Sequence, residues 1–188
     1  MCWSRTQIGD RGACGATCVR CAAVARVMIV GGGCRGRQLA ATLVSNRHAV
    51  RITTRAEEGR AAIERTGAEC WVGTPDRLAT LRGALDSVTI LCWMLGTASG
   101  SAEELRALFT TRLELFLTQA IDTTVRGFLY EARGTGVPAD LLAEGERTVR
   151  RLTERSAIPV AVLTADPLDG AEWLAQAGAA VEALLTRA

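Results

Sequence analysis

The 188-residue sequence contains no lysine, so all of its 22 basic residues are arginine. This absence excludes every mechanism that depends on a lysine amine. Aromatic residues make up only 4% of the chain, with a single tyrosine, and there is one histidine.

Long apolar runs are also missing, because the longest unbroken one, Ile90–Leu95, is far below the roughly 20 residues of a membrane-spanning helix. A net charge of +2 is too small to indicate a nucleic-acid or anionic membrane partner. The odd number of cysteines, seven, gives no disulfide framework and favours a reducing compartment. We therefore expect a cytoplasmic protein with one globular domain and neither nucleic-acid nor membrane partners.

Residues 1–25 differ from the rest and hold four of the cysteines. Cys14, Cys18 and Cys21 have the C-x3-C-x2-C spacing with which radical enzymes hold an iron–sulfur cluster. A different fold begins five residues later, however, so a disordered extension or a misplaced translation start is the preferred interpretation. We expect no metal site, and a folded domain over residues 26–188.

The stretch that organises the remainder is a glycine-rich turn between an apolar strand, Val27–Val30, and a helical pattern. In the G-x-G-x-x-G spacing, Gly31 permits the turn, Gly33 lets backbone approach a pyrophosphate, and Gly36 lets helix pack on strand. The helix N-terminus offers unpaired N–H groups to phosphates. The alternative is a purely structural turn. The predicted dinucleotide-binding residues here are Gly31, Gly33, Cys34, Arg35 and Gly36.

The second strand, Ala49–Arg55, ends without the acidic residue that usually binds the adenosine ribose. Thr54 and Arg55 stand there instead, so nothing repels a 2′-phosphate. Arg55, together with Arg35, is predicted to pair with that phosphate through its planar guanidinium. This favours NADP over NAD. The alternative is that Arg55 only opens the loop before the next helix.

Strands and helices alternate along the rest of the chain, which predicts an α/β Rossmann fold: a doubly wound parallel sheet of about six strands, ordered 3-2-1-4-5-6. Further strands are predicted at 67–73, 87–95, 125–132 and 158–164, and helices at 57–66, 75–85, 102–120, 139–156 and 170–187. Residues at the carboxyl ends of strands 3 and 4 complete the predicted cofactor site: Gly73, Thr74, Leu95, Gly96 and Thr97.

The predicted helix 102–120 carries a wide apolar stripe that includes Leu105, Phe109, Leu113, Leu115 and Phe116. A well-buried core helix explains the stripe, and a homodimer contact is the alternative.

The chain resembles the short-chain dehydrogenase/reductase superfamily, nearest its epimerase/dehydratase-like, atypical NAD(P)-binding members. The resemblance covers Arg26 to Pro167 and rests on the glycine turn, Gly67–Gly73 with the following Leu78–Val88, and Arg126–Tyr130. It implies NAD(P) binding and oxidoreductase or epimerase-like chemistry. The chain departs from the pattern at Val30, which replaces the first glycine, and at Thr74, which replaces an adenine-contacting Asp.

The resemblance also implies a Ser near strand 5 and a Tyr-x-x-x-Lys on the next helix, and this chain has neither. Its only tyrosine, Tyr130, falls within strand 5. Tyr130, Glu131 and Asp166 are candidate catalytic groups at the carboxyl edge of the sheet, with Arg133 binding an anion. Strand-end capping and solvation are the alternative roles.

Extended members of the superfamily add a sizeable C-terminal substrate domain, whereas this chain ends one helix after strand 6. Three functions follow. The first is an atypical oxidoreductase or epimerase-like enzyme with an open site and an unknown small-molecule substrate. The second is a catalytically silent dinucleotide-binding sensor or partner-docking protein, and the third is a Rossmann domain without a ligand.

Overall fold

The computed structural model describes residues 25–188, and Cys14, Cys18 and Cys21 lie outside the described residues. Its centre is one sheet of six strands, all parallel, in the order β3-β2-β1-β4-β5-β6. The predicted fold class and strand order are confirmed. The strands are β1 (Arg26–Val30), β2 (Ala49–Thr54), β3 (Glu69–Val72), β4 (Ile90–Trp93), β5 (Gly127–Glu131) and β6 (Val160–Leu163).

Residues 25–188 form six α-helices that cover both faces of the sheet. They are α1 (Cys34–Ser45), α2 (Arg60–Glu64), α3 (Ala102–Phe109), α4 (Thr111–Ile121), α5 (Ala139–Ser156) and α6 (Gly170–Leu185). Helices α1 to α5 lie in the connections between strands, and α6 follows the last strand. None of the described helices combines the length and the apolar character that a membrane crossing requires.

Two predicted helices are wholly or partly 3₁₀ in the structure. The segment predicted at 57–66 begins as a 3₁₀ turn, Glu57–Gly59, before α2, and the one at 75–85 is a 3₁₀ segment, Pro75–Leu85, kinked at Arg77. In the second, the Trp71 indole N–H donates to the Thr80 carbonyl and the Thr80 hydroxyl donates to the Arg77 carbonyl. These side-chain bonds compete with the backbone bonds of an α-helix.

The predicted helix 102–120 was wrong as a single helix, because the chain breaks at Thr110 between α3 and α4. Thr110 has φ −119° and ψ −93°, and its hydroxyl donates to the Arg106 carbonyl one turn earlier. Ser101 starts α3 with a capping box. The Ser101 hydroxyl accepts from the Glu104 backbone N–H, and the Glu104 carboxylate accepts from the Ser101 backbone N–H. Phe109 and Phe116 lie on either side of the break, and each is fully buried in the core.

The core forms two apolar layers, one on each face of the sheet. Residues of α3, α4 and α5 pack with the side chains of one face, and residues of α1, α2 and α6 pack with those of the other. Val27 to Val30 are completely buried, which explains why β1 has a continuous apolar run rather than an alternating one.

The connections from β1 and from β4 leave the carboxyl edge of the sheet in opposite directions. The chain runs from β1 towards β2 on one side, and from β4 towards β5 on the other. Ligands of open parallel sheets bind in the crevice at this reversal. The fold therefore predicts the position of a site before any side chain is considered.

Candidate functional site

A cavity of about 570 Å³ lies at this reversal, above the carboxyl ends of the strands. Its volume falls within the roughly 300–1,000 Å³ of small-molecule sites. The cavity brings together eleven of the twelve predicted cofactor residues: Gly31, Gly33, Cys34, Arg35, Gly36, Thr54, Arg55, Gly73, Thr74, Leu95 and Thr97. The twelfth, Gly96, is not among the lining residues and is described below with Glu131.

The glycine turn leaves no room for a Cβ at Gly31, Gly32 or Gly36 and leaves Gly33 open. Gly31 has φ +130°, and a Cβ there would collide with the Met94 carbonyl oxygen. A Cβ on Gly36 would collide with the Gly31 carbonyl oxygen, so Gly36 lets α1 approach the turn. Gly33 has no atom of residues 25–188 within 4 Å of its Cβ position. The turn thus presents open backbone at Gly33 to the cavity.

The N-terminus of α1 points unpaired backbone donors at the same space. Gly33 is its N-cap residue and supplies no side-chain bond, and the first turn contains no acidic residue. The positive end of the helix dipole and the free N–H groups therefore remain available to an anion. A pyrophosphate fits this position.

The β2 end of the cavity is cationic. Buried Thr53 accepts a hydrogen bond of 3.3 Å from the Gly31 N–H and so fixes the turn, while exposed Arg55 makes no ion pair with any residue of 25–188. Arg37, which is not among the lining residues, donates to the Gly32 carbonyl at 2.8 Å and so also holds the turn. The described part of the chain leaves the Arg55 charge free for a ligand.

The β3 end contains an acidic residue that the sequence interpretation did not assign. Thr74 is buried and its hydroxyl accepts a 3.2 Å bond from the Asp76 N–H, which places Asp76 at the cavity wall. The Asp76 carboxylate pairs with Arg112 of α4. Thr74 stands where the resemblance implies an Asp, and Asp76, two positions later, has its carboxylate paired with Arg112.

The opposite end of the cavity is formed by Arg35, Glu131 and Trp173, which we call the Arg35 cluster. Arg35 donates to the Pro167 carbonyl at 2.9 Å, and its Nη2 lies 3.5 Å from Glu131 Oε1. Its guanidinium carbon lies 5.4 Å from the centre of the Trp173 ring. In this structure Arg35 turns towards β5 and α6, so its predicted pairing with Arg55 on one phosphate stays a prediction that would require the Arg35 side chain to move.

Glu131 is 2% exposed and accepts hydrogen bonds from two fixed donors. The Gly96 backbone N–H binds Oε2 at 2.7 Å, and the Trp173 indole N–H binds Oε1 at 3.0 Å. Burial raises the pKa of this carboxyl, and these two donors together with Arg35 act to lower it. Gly96 thus acts in the site through its N–H rather than by lining the cavity.

The other two catalytic candidates do not reach the cavity. Tyr130 is fully buried on the opposite face of the sheet, where its hydroxyl donates to the Leu142 carbonyl at 2.9 Å beside Gly145. Burial raises the pKa of its phenol, which disfavours the phenolate. Asp166 pairs with Arg133 at 3.2 Å outside the cavity. Of the predicted catalytic groups, Glu131 alone lies at the cavity wall.

Replacing Tyr130 with phenylalanine tests this placement. We expect Tyr130→Phe to lower the free energy of unfolding by about 1 kcal/mol, because the Leu142 carbonyl loses its partner in the core. Ligand affinity and any catalytic rate should stay unchanged, since the hydroxyl faces away from the cavity. Chemical denaturation and ligand titration measure the two effects, and a fall of tenfold or more in activity at full stability would contradict the assignment.

The sequence did not predict several lining residues, because they belong to no motif. Most of them lie close in the sequence to predicted residues, which is the only sign that could have identified them. They are Gly32, Thr53, Ala56, Pro75, Asp76, Met94, Ala98, Leu108 and Trp173. Trp173 gave no local signal at all, because it comes from the closing helix α6.

Metal-ligating side chains do not cluster in the described part of the chain: no three of its His, Cys, Asp or Glu residues are placed to hold an ion. Cys34 is exposed at the start of α1, and Cys70 and Cys92 are buried in strands.

Comparison with known proteins gives structural matches only. No protein-family model matches the sequence, and no curated protein sequence matches it. Triphenylmethane reductase from Citrobacter sp. superposes with a TM-score of 0.57 at 20% identity, over 73% of this chain and 48% of that one. The same reductase complexed with NADP(H) gives a TM-score of 0.54 at 19% identity, over 73% and 48%.

UDP-glucose 4-epimerase from Brucella ovis in complex with NAD superposes with a TM-score of 0.59 at 9% identity, over 73% of this chain and 50% of that one. The chain spans about half the length of these solved structures. At such identities the likeness concerns the fold. The protein has the Rossmann-type fold that these reductases and epimerases share, as its resemblance to the short-chain dehydrogenase/reductase superfamily predicted.

Proposed function

We propose that the protein binds NAD(P), with NADP preferred, and is an oxidoreductase-like protein without a tyrosine–lysine proton relay. The observation that supports this proposal is the open glycine turn at the N-terminus of α1, inside a cavity of the size of a small-molecule site. Structural neighbours that were solved with NADP(H) or NAD add support from the fold.

The pyrophosphate is proposed to bind the backbone of Gly33, Cys34 and Arg35. These groups have the features that an anion requires: unpaired N–H donors, the positive end of a helix dipole and no acidic neighbour in the first turn. Gly33 lines the cavity and no other part of the described chain crowds its Cβ position, so a ligand can approach the backbone there.

The adenosine half is proposed to lie towards β2 and β3. Thr54 and Arg55 line this part, and no carboxylate follows β2 at the positions where an acid would bind a 2′-hydroxyl. The unpaired Arg55 guanidinium offers two parallel N–H donors to a 2′-phosphate. NADP preference follows from this arrangement.

When bound, the nicotinamide ring supplies or accepts a hydride. Within this chain, Glu131 is the carboxylate at the cavity wall nearest the β5 end, so it is our candidate proton acceptor there. A silent sensor is the less favoured alternative, because the cavity extends to this carboxylate rather than ending at the glycine turn.

The NADP preference is tested by replacing Arg55 with alanine and titrating NADP, NADPH, NAD and NADH separately. We expect Arg55→Ala to weaken NADP binding by about 10- to 100-fold, because one charge-assisted contact is lost, and to leave NAD binding unchanged. Calorimetry gives the affinities. Melting-temperature shifts check them independently, because a ligand that binds only the folded state stabilises it.

Arg65→Ala is the matched control, since Arg65 is exposed and lies outside the cavity. It removes the same charge and should leave both affinities unchanged. An unaltered NADP preference in Arg55→Ala would reject the phosphate assignment. No binding of any dinucleotide at millimolar concentration would reject the proposed function.

A further inference from the structure

The Arg35 cluster surrounds one flat cation with three kinds of acceptor. The guanidinium faces the Glu131 carboxylate, donates to the Pro167 carbonyl and lies beside the Trp173 ring. A carboxylate attracts positive charge, a carbonyl accepts an N–H bond, and an indole ring attracts a cation to its face. The surroundings suit any planar cation that carries N–H donors.

The acceptor side of this cluster is fixed independently of Arg35. Glu131 is held by the Gly96 N–H on Oε2 and by the Trp173 N–H on Oε1, from two different elements of the fold. Trp173 is itself 1% exposed, in the core between α6 and the sheet. If Arg35 leaves, the carboxylate and the indole ring keep their positions.

Arg35 is the component that can move. It is the second residue of α1, its side chain is 19% exposed, and a long flexible stem joins the guanidinium to the backbone of the proposed pyrophosphate site. A bound pyrophosphate would compete with Glu131 for the same positive charge. Its approach therefore favours release of Arg35 from the cluster.

We propose that the Arg35 cluster is a subsite for the oxidised nicotinamide ring, and that the Arg35 guanidinium fills this subsite in the free protein. The proposal rests on the NADP binding proposed above. The oxidised ring is a flat aromatic cation with a carboxamide that donates N–H bonds, so it offers the same chemistry as the guanidinium. Glu131 and Trp173 then select the redox form of the ligand.

The selection follows from what the reduced ring lacks. Reduced nicotinamide is neutral, so its entry would displace Arg35 and leave a buried carboxylate without a cation. The oxidised ring restores the positive charge beside Glu131 and the cation over Trp173. The subsite consequently favours NADP⁺ over NADPH.

The experiment is isothermal titration of the full chain with NADP⁺, NADPH and 2′-phospho-ADP-ribose, which lacks the nicotinamide ring. We expect NADP⁺ to bind about tenfold or more tightly than NADPH, the order of one cation–π or charge-assisted contact. NADPH should bind no more tightly than the ring-free compound. These comparisons use the unchanged protein and do not depend on a variant that folds.

Glu131→Gln then removes the charge and keeps the shape of the side chain. We expect it to weaken NADP⁺ binding about tenfold and not to weaken NADPH binding, because the penalty for leaving a buried charge unpaired is removed, so that the ratio approaches one. Glu154→Gln, at an exposed position of α5, is the matched control and should change neither affinity.

The outcomes separate this inference from the proposed function. Equal affinities for NADP⁺ and NADPH in the unchanged protein, or an unaltered ratio in folded Glu131→Gln, would overturn the redox subsite while leaving NADP binding intact. Binding of none of the three compounds would overturn both.

Discussion

Gly31→Ala should destabilise the protein by at least about 3 kcal/mol. Gly31 has φ +130°, a conformation that L-residues rarely adopt, and the new Cβ would collide with the Met94 carbonyl oxygen. The chain cannot shift locally to relieve the backbone strain or the collision, because the Met94 N–H donates to the Val30 carbonyl directly before the turn. Denaturant unfolding of the variant measures the loss.

Gly33→Ala is the matched control from the same turn. Gly33 has φ −66°, which any residue adopts, and its Cβ position meets no atom of the described chain within 4 Å. We expect its stability to change by less than about 0.5 kcal/mol. Affinity for NADP should nevertheless fall by about tenfold or more, because a methyl group would project into the proposed pyrophosphate position. Equal losses of stability in the two variants would contradict the different roles that we assign to these glycines.

The glycine turn could be predicted from the sequence because its determinants are local. Gly31, Gly33 and Gly36 lie within six consecutive residues, and the apolar strand before them is buried on both faces as its composition indicates. The strand order also followed from the alternation of elements, since a parallel sheet with short connections allows few arrangements. Local pattern and topology together placed the crevice.

The Arg35 cluster could not be predicted in this way. Its Arg35–Pro167 hydrogen bond joins residues 132 positions apart, and Trp173 comes from the last helix. A sequence pattern placed Arg35 in the turn but gave no information on where a long side chain would point. Its partners become visible only when β5 and α6 are brought beside α1 by the fold.

The helix break at Thr110 also lay beyond the sequence pattern. Neither proline nor glycine interrupts residues 102–120, and the apolar spacing continues through the break. Two consecutive β-branched residues, Thr110 and Thr111, instead bond the carbonyls of the preceding turn through their hydroxyls. The stripe that suggested either a core helix or a dimer contact is thereby divided between two helices.

Phe116→Ala distinguishes these two explanations of the stripe. Phe116 is fully buried in α4, and its ring centre lies 5.7 Å from that of Trp93 in β4. We expect the variant to lose about 3–5 kcal/mol of stability, because a large cavity opens between helix and sheet. For a chain of this size, such a loss lowers Tm by roughly 10 °C, which thermal unfolding detects directly.

Leu115→Ala is the control from the adjacent position, where the side chain is 55% exposed. Its stability should change by less than about 0.5 kcal/mol, and its Tm should not vary with protein concentration. A folded monomer has no concentration term in its unfolding equilibrium, whereas a dimer is stabilised by mass action. If Leu115→Ala lowers Tm by an amount that depends on protein concentration, the exposed part of the stripe forms a contact between two copies of the chain. If only Phe116→Ala lowers Tm by the full amount, the stripe belongs to the core.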